Sequence, residues 1–246
     1  MFRLFLARGV AYLQHLIYIC IVNQSRLIMC NPFNEEYGEF SYFSAPITNV
    51  TANRCISVHS MYRYIVSVYK RDETARIQAE TDGNIRRNLK RTLLDYVTPG
   101  CMVHRRAVSE LVRPSGLMVL DLDHVVGDDL SPLNARWEVR KRTEPLWNCF
   151  TSVLGFVSPS GRGYKLVIDI SRPLMWLSGL SLSAPVYDAE QVRTFAEAYS
   201  RIFANIRETA EKAGFELDKS GSDIVRACYL CHDPYARINA DYLERG

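Results

Sequence analysis

The stretch LMVLDLDH, residues 117–124, decides the fold class. It follows the turn-forming residues 114–116, and its nearly continuous apolar run suits a buried β-strand that ends at acidic residues. Residues 150–157 and 164–170 are also strand-like, and the turn formers at 158–163 join them into a predicted hairpin. Strands gathered around one hairpin, with helical segments on either side, predict a mixed α+β fold with helices packed on the sheet.

The clearest helix follows Asp188, which can cap it, and Gly214 can end it. Its apolar residues recur at helical spacing: Val192, Phe195, Ala196, Tyr199, Ile202, Phe203 and Ile206. Ser57 can cap a second helix that runs as far as Val68, and residues 128–142 suit a third.

The other segments are predicted from turn formers and short apolar runs. Residues 31–54 are expected to form an extended lead-in, and residues 72–95 are polar and rich in helix formers. Residues 171–187 contain two prolines and a glycine, which predicts a loop. Residues 215–217 and 224–230 are predicted to be short strands around a turn.

Composition excludes little. Of the 246 residues, 48% are hydrophobic and 23% are charged, which is ordinary for a globular protein. The net charge of +3 does not by itself indicate a nucleic-acid partner, but it is compatible with a local basic patch. The seven cysteines are scattered and odd in number. They predict free thiols in a reducing compartment, so we expect a cytoplasmic protein.

The N-terminus has three interpretations. Two arginines precede an uncharged, mostly apolar run at residues 10–22, which is short for a membrane span but suits a signal-peptide core. The favoured interpretation is that Met29 is the true start, so that residues 1–28 are a misannotated upstream extension and residues 29–246 form a single domain. A signal-like or anchor segment and a genuine N-terminal element are the alternatives. We expect no stable membrane association.

Asp121 and Asp123 are the first candidate site residues. Residues two apart on a strand share a face, so both carboxylates should project together at the strand end. Carboxylates that close repel each other unless one is protonated or a cation lies between them. Mg²⁺ and Mn²⁺ prefer such oxygen ligands, so the pair predicts a metal site. The alternative is a strand end followed by a solvated acidic turn.

The turn that follows the second strand is the next candidate. It combines two glycines, two serines and two basic residues: Ser158, Ser160, Gly161, Arg162, Gly163 and Lys165. The glycines allow close backbone approach to a ligand and expose amide donors to phosphate oxygens. The spacing is not that of a Walker A loop. The alternative is a hairpin turn with an exposed arginine.

A third block surrounds Asp218 and Arg226. Asp218 follows an apolar segment and could supply a third carboxylate. Arg226 lies in an apolar stretch, where a charge is costly without a partner. A bound phosphate could be that partner. The alternative is a salt bridge to Asp218 or Asp223.

The order of these three blocks resembles the archaeo-eukaryotic primase superfamily. Within it, the chain is most similar to the VirE N-terminal-like, primase–polymerase-related domain of Bacteroides-type mobile elements. The likeness spans about residues 41–240 and includes the lead-in residues 41–43 and 46–49. It implies a primase–polymerase-like fold, in which helices pack on an RRM-like antiparallel sheet and an N-terminal helical region is added.

The resemblance also implies a function, that of a DNA primase or polymerase acting in the replication of a mobile element. Asp121, Asp123 and Asp218 would be the catalytic triad that binds Mg²⁺ or Mn²⁺ for two-metal phosphoryl transfer. The serines, glycines and basic residues of the second block, with Arg226, would bind nucleoside triphosphates. Single-stranded DNA would be the template, and a separate helicase-type ATPase would be a partner.

Lys165 departs from the pattern, because the superfamily usually has histidine there. Lysine binds phosphate as a point charge but does not reproduce a neutral imidazole. This departure favours an alternative, a catalytically silent module that binds nucleic acid or nucleotide. A nuclease is a further alternative, since the same carboxylates could activate water.

Two other patterns admit two interpretations each. A basic run could follow template phosphates or could be a solvated helix face: Arg86, Arg87, Lys90 and Arg91. Cys228, Cys231 and His232 match the CxxCH pattern of covalent haem attachment, which would make the protein a c-type cytochrome. We favour the interpretation that both cysteines are small apolar residues in packed structure.

Overall fold

The computed structural model describes residues 38–243. The predictions on residues 1–28 and on a start at Met29 lie outside this range. Within it, six α-helices accompany ten β-strands, and every strand pair is antiparallel. The predicted mixed α+β class is therefore confirmed. None of the helices in the described residues is both long enough and apolar enough to cross a membrane.

The elements are short, apart from two helices. The strands are β1 (Phe40–Phe43), β2 (Arg54–Ile56), β3 (Tyr96–Thr98), β4 (Cys101–Val103), β5 (Leu111–Pro114), β6 (Leu117–Leu122), β7 (Ser152–Val157), β8 (Tyr164–Asp169), β9 (Cys228–Tyr229) and β10 (Arg237–Ile238). The helices are α1 (Val58–Val66), α2 (Arg71–Ala79), α3 (Gly83–Leu93), α4 (Pro132–Trp147), α5 (Ser171–Ser178) and α6 (Ala189–Lys212).

Two four-stranded sheets organise the chain. The first has the order β2-β1-β3-β9 and the second the order β10-β7-β8-β6, while β4 and β5 form a separate pair. The predicted β7–β8 hairpin is confirmed, and β6 pairs with β8 from Leu117 opposite Asp169 to Leu122 opposite Tyr164. One short C-terminal segment supplies an edge strand to each sheet, since β9 borders the first and β10 borders the second.

The second sheet is buried on both faces. On one face, Met118 and Leu120 of β6 share a core with α4 and α6. On the other, Val119 shares a core with α1 and with strands of the first sheet. Because side chains alternate along a strand, Asp121 belongs to the face of Val119. The β6 register therefore directs Asp121 toward the first sheet.

Local signals set the ends of the predicted helices. Ser57 caps α1, and its hydroxyl accepts a hydrogen bond from the Ser60 amide at 3.2 Å. α1 ends at Val66, before the exposed Val68. Asp188 forms a capping box at the start of α6, and Gly214 follows the helix with a φ of +86°.

Some segments differ from the prediction. Residues 171–178 form a helix rather than a loop. Pro173 is tolerated because it lies in the first turn, and Gly179 ends the helix with a φ of +69°. Residues 215–217 form no strand, and only Cys228–Tyr229 does so within residues 224–230. Arg226 therefore precedes β9 rather than lying within a strand.

One predicted helix is shifted along the chain. The helix predicted over residues 128–142 spans Pro132–Trp147, and Ser131 caps its start. The N-terminal helical region consists of α1 to α3, which lie in the chain between β2 and β3 of the first sheet.

Candidate functional site

A cavity of about 310 Å³ lies beside the end of β6, between the second sheet and the segment that leads into β9. Its charged lining residues come from distant parts of the chain: Lys90, Arg91, Arg106, Lys165, Arg226, Asp121 and Asp123. The five basic side chains outnumber the two acidic ones by three. The cavity therefore carries a net positive charge that attracts anions.

Asp121 and Lys165 form a buried ion pair in the wall of this cavity. They lie directly opposite each other on β6 and β8, and Lys165 Nζ contacts Asp121 Oδ2. Asp121 is 9% exposed and Lys165 is 5% exposed. Burial alone would lower the pKa of Lys165, but the Asp121 carboxylate opposes it and the pKa is raised. Lys165 is therefore a fixed positive charge.

The second oxygen of Asp121 is unsatisfied. Asp121 Oδ1 is buried and has no hydrogen-bond partner in the described residues. Asp123, one residue beyond the end of β6, is exposed and lines the same cavity. A buried acceptor without a donor is costly, and a cation would satisfy it. The two carboxylates fit a Mg²⁺ ion, which commonly binds one or two carboxylates together with substrate phosphates and water.

Asp218 lies beside the pair but is engaged elsewhere. Its amide donates to the Asp121 carbonyl at 2.9 Å. Its carboxylate accepts from the Ser220 hydroxyl at 2.6 Å and from Arg226 Nη2 at 2.8 Å. Burial alone would raise the pKa of Asp218, but the Ser220 hydrogen bonds and the charges of Arg226 and Lys165 lower it. The salt bridge considered as the alternative for Arg226 is thus present.

The structure does not assemble the predicted metal triad. Among residues 38–243, no group of three or more His, Cys, Asp or Glu side chains is arranged to hold a metal ion. Asp121 and Asp123 share the cavity, whereas Asp218 holds Arg226 at its edge. The third carboxylate is therefore better described as a residue that positions an arginine.

The turn after β7 uses its hydroxyls internally. Ser158 Oγ lies 3.0 Å from Ser160 Oγ and accepts from the Gly163 amide at 3.1 Å. Gly161 has a φ of +76°, which favours glycine. Ser158 also lines the cavity with Pro159. The turn thus presents a compact edge of the cavity rather than an open phosphate loop.

Arg162 faces a different loop. Its Nε lies 2.7 Å from Asp128 Oδ1, and its Nη2 donates to the Leu130 carbonyl at 3.1 Å. Arg86 contacts the same Asp128 oxygen at 3.5 Å. Both arginines therefore hold the loop that follows Asp123, and neither is among the residues that line the cavity in the described structure.

The basic run on α3 divides between two directions. Arg86 donates to the Glu80 carbonyl at 2.9 Å, and Arg87 contacts the Asn84 side chain at 3.3 Å. Lys90 and Arg91, in the last turn, line the cavity instead. The basic run is therefore neither a helix face that is solvated along its whole length nor a continuous surface for template phosphates.

One protein family matches the part of the chain that supplies most of this cavity. The sequence model of the BT4734-like, N-terminal domain family matches residues 88–237, which is more than half of the chain. The chain belongs to this family. No curated protein and no solved structure gives a significant match.

The BT4734-like match contains nearly the whole cavity. Of the lining residues, Ile47 alone lies before residue 88. The match begins inside α3 and includes β3 and β9, which pair with each other and join β1 in the first sheet. The start of the BT4734-like match is therefore not a structural boundary, because earlier strands complete the same sheet.

Three cavity residues of this BT4734-like domain were not predicted as site residues. Ile47, Arg106 and Tyr229 line the cavity, although Ile47 and Tyr229 lie within segments that carry the family resemblance. The Arg106 guanidinium lies 5.2 Å from the centroid of the Tyr96 ring. The basic cluster at residues 104–106 was the only local signal, and it does not indicate which side chain faces a ligand.

Gly163 provides a test of the site geometry. A Cβ atom there would lie 2.4 Å from the Leu122 carbonyl oxygen and 3.4 Å from Asp123 Cα. We expect Gly163→Ala to push away the end of β6 and to lower the free energy of unfolding by about 1–3 kcal/mol, measured in urea. Gly83→Ala is the control, because a Cβ there meets nothing within 4 Å. Equal unfolding midpoints for wild type and Gly163→Ala would contradict this packing.

The cysteines of the CxxCH pattern face the core. Cys228 and Cys231 are 0% and 1% exposed, and Cys231 Sγ contacts the Val157 carbonyl at 3.3 Å. Burial raises the pKa of the Cys228 thiol to about 11, although Lys165 opposes this. Two packed thiols are poorly placed for thioether bonds to a haem, which disfavours the cytochrome alternative.

Proposed function

We propose that this chain is a metal-dependent nucleotidyltransferase of the primase–polymerase type. One observation carries the proposal: a single cavity joins residues from all three sequence blocks. The Asp121–Asp123 pair, Ser158 and Lys165 of the turn block, and Arg226 all line it. Two carboxylates beside an excess of cations suit a substrate that combines a metal ion with a polyphosphate.

The wider resemblance belongs to the same proposal. The second sheet, with α4 and α6 on one face, would be the RRM-like core of a primase–polymerase domain related to the VirE N-terminal-like domain. Single-stranded DNA would be the template in replication of a mobile element, in the cytoplasm and with a separate helicase. The Lys90 and Arg91 positions in the cavity support contact with a nucleotide more than contact with the template.

The chain's own residues would act as follows. Asp121 Oδ1 and the Asp123 carboxylate would hold Mg²⁺ or Mn²⁺, and the ion would supply activation of the attacking hydroxyl and stabilisation of charge on the phosphates. Lys165 fixes the orientation of the Asp121 carboxylate through their ion pair. Asp218 orients Arg226 toward the phosphates, where its charge is needed as the leaving group departs.

A second candidate function is supported by the same ion pairs. Lys165 neutralises one of the two cavity carboxylates, and Arg226 engages Asp218. A site with this charge balance could bind a nucleotide or nucleic acid without catalysing transfer. In that case the domain would be a silent binding module that works with a separate enzyme.

Synthesis assays on single-stranded DNA test the proposal. The full chain would be given a primed or unprimed template, Mg²⁺ or Mn²⁺, and labelled dNTPs or NTPs. We expect product that requires the metal ion. Nucleotide binding without product would favour the silent module. Shortening of a labelled template instead would indicate a nuclease.

A further inference from the structure

Three cations in the cavity have no side-chain partner within the described part of the chain. Lys90, Arg91 and Arg106 all line it, yet none forms a side-chain hydrogen bond or ion pair with any residue between 38 and 243. Arg106 only lies over the Tyr96 ring. Arg86 and Arg87 on the same helix as Lys90, by contrast, do have partners.

Two of these cations, Arg91 and Arg106, lie close to Tyr229. Tyr229 lies on β9, is half-buried, and lines the cavity. Burial raises the pKa of its hydroxyl, and four cations are close enough to oppose that rise: Arg91, Arg106, Arg226 and Lys165. The basic side chains therefore form one cluster around the phenol and not a row of separate surface charges.

Lys90 connects this cluster to the carboxylates. Burial and the charge of Lys165 lower the pKa of Lys90, while Asp123 and Asp121 oppose that change. Lys90 thus lies within electrostatic reach of both carboxylates and of Lys165. The cavity therefore brings the carboxylates of Asp121 and Asp123 together with the cations near Tyr229, and Lys90 interacts with both carboxylates.

Unpaired cations this close repel one another, and partial burial increases that cost. An anion with several charges would remove it. Guanidinium groups bind phosphate through paired hydrogen bonds, whereas an ammonium group binds it as a point charge. A volume of about 310 Å³ is at the small end of ligand sites, which suits a chain of phosphates better than a nucleic-acid strand.

We propose that Lys90, Arg91 and Arg106, together with the Tyr229 hydroxyl, form a polyphosphate-binding subsite that receives the triphosphate of the nucleotide. The inference rests on the proposed function, because it names the side chains that hold the substrate of that same site. In this proposal the last turn of α3 binds the nucleotide, whereas Arg162 binds the loop after Asp123.

Binding of inorganic tripolyphosphate tests the subsite without requiring any chemistry. Calorimetric titration of the full chain would be compared with Lys90→Ala, Arg106→Ala and Tyr229→Phe. We expect each lost cation to weaken binding by about tenfold or more, and the lost hydroxyl to weaken it less. Arg87→Ala is the matched control, because Arg87 lies on the same helix and contacts Asn84. It should bind as the wild type does.

The variants at Lys90 and Arg106 should fold, so a loss of tripolyphosphate affinity can be attributed to the missing side chain. Lys90 and Arg106 have no ion-pair partners in the described residues, so their removal leaves no buried counter-charge, and urea midpoints should stay close to that of the wild type. Unchanged tripolyphosphate affinity in folded Lys90→Ala and Arg106→Ala would overturn the subsite. An equal loss in Arg87→Ala would also overturn it, because it would indicate diffuse surface attraction.

The subsite and the proposed function can fail separately. Tripolyphosphate binding that depends on Lys90 and Arg106, without any synthesis on DNA, would support the subsite and count against the enzyme. Synthesis with an unchanged KM for the nucleotide in both variants would support the enzyme and overturn the subsite.

Discussion

Asp123→Asn will abolish metal-dependent nucleotide incorporation and leave the folded protein as stable as the wild type. Asp123 is exposed, lines the cavity, and forms no ion pair with any residue of the described range. Its carboxylate can therefore be removed with little effect on folding. We expect the rate of primer extension to fall at least about 100-fold, the scale of losing one charge-stabilising group from an active site.

Asp129→Asn is the matched control for this experiment. Asp129 is exposed on the same loop and lies outside the cavity lining of the described structure. It should extend primers at the wild-type rate in Mg²⁺ and in Mn²⁺. Undiminished extension by Asp123→Asn would remove Asp123 from the set of metal ligands and would count heavily against the proposed function.

Asp121→Asn will have a different effect, a large loss of stability. The substitution leaves the Lys165 ammonium group buried without its counter-charge. Breaking a buried ion pair by removing one partner costs about 3–5 kcal/mol. We expect the free energy of unfolding, measured in urea, to fall by about that amount, with a clear decrease in the melting temperature.

The double variant Asp121→Asn/Lys165→Met measures the interaction energy between the two side chains. With both charges removed, no unpaired ion is buried, so most of the lost stability should return. Additive losses in the double-mutant cycle would show that the two side chains act independently. Because Asp121 supports the fold, its variants alone cannot assign its part in chemistry, and Asp123 is the sharper probe.

Local sequence signals were enough to predict much of the fold. The apolar run before Asp121 and the turn before Tyr164 identify β6 and the β7–β8 hairpin, since burial and turn formation each leave a local pattern. α5 was missed because Pro173 and Gly179 were interpreted as loop formers. Both are compatible with a helix when proline lies in the first turn and glycine follows the last.

The site was predictable only where its residues are close in sequence. Asp121 and Asp123 are two residues apart, so a strand places them together. The pairing of Asp121 with Lys165 depends on the β6–β8 register, which no local pattern fixes. Arg162 was expected at the phosphates, but the carbonyl groups of a loop some 30 residues away bind it instead.

The short segment that contains β9 and β10 supplies an edge strand to each sheet, so the folding of the two sheets is coupled. β9 and β10 are separated by only a few residues, and side chains of both sheets share one apolar core, so unfolding of either sheet would expose apolar surface of the other. The cavity lies where the two meet, so its shape exists only when both are in place. The domain should therefore melt in one cooperative transition, and a compound bound in the cavity should raise its temperature by mass action.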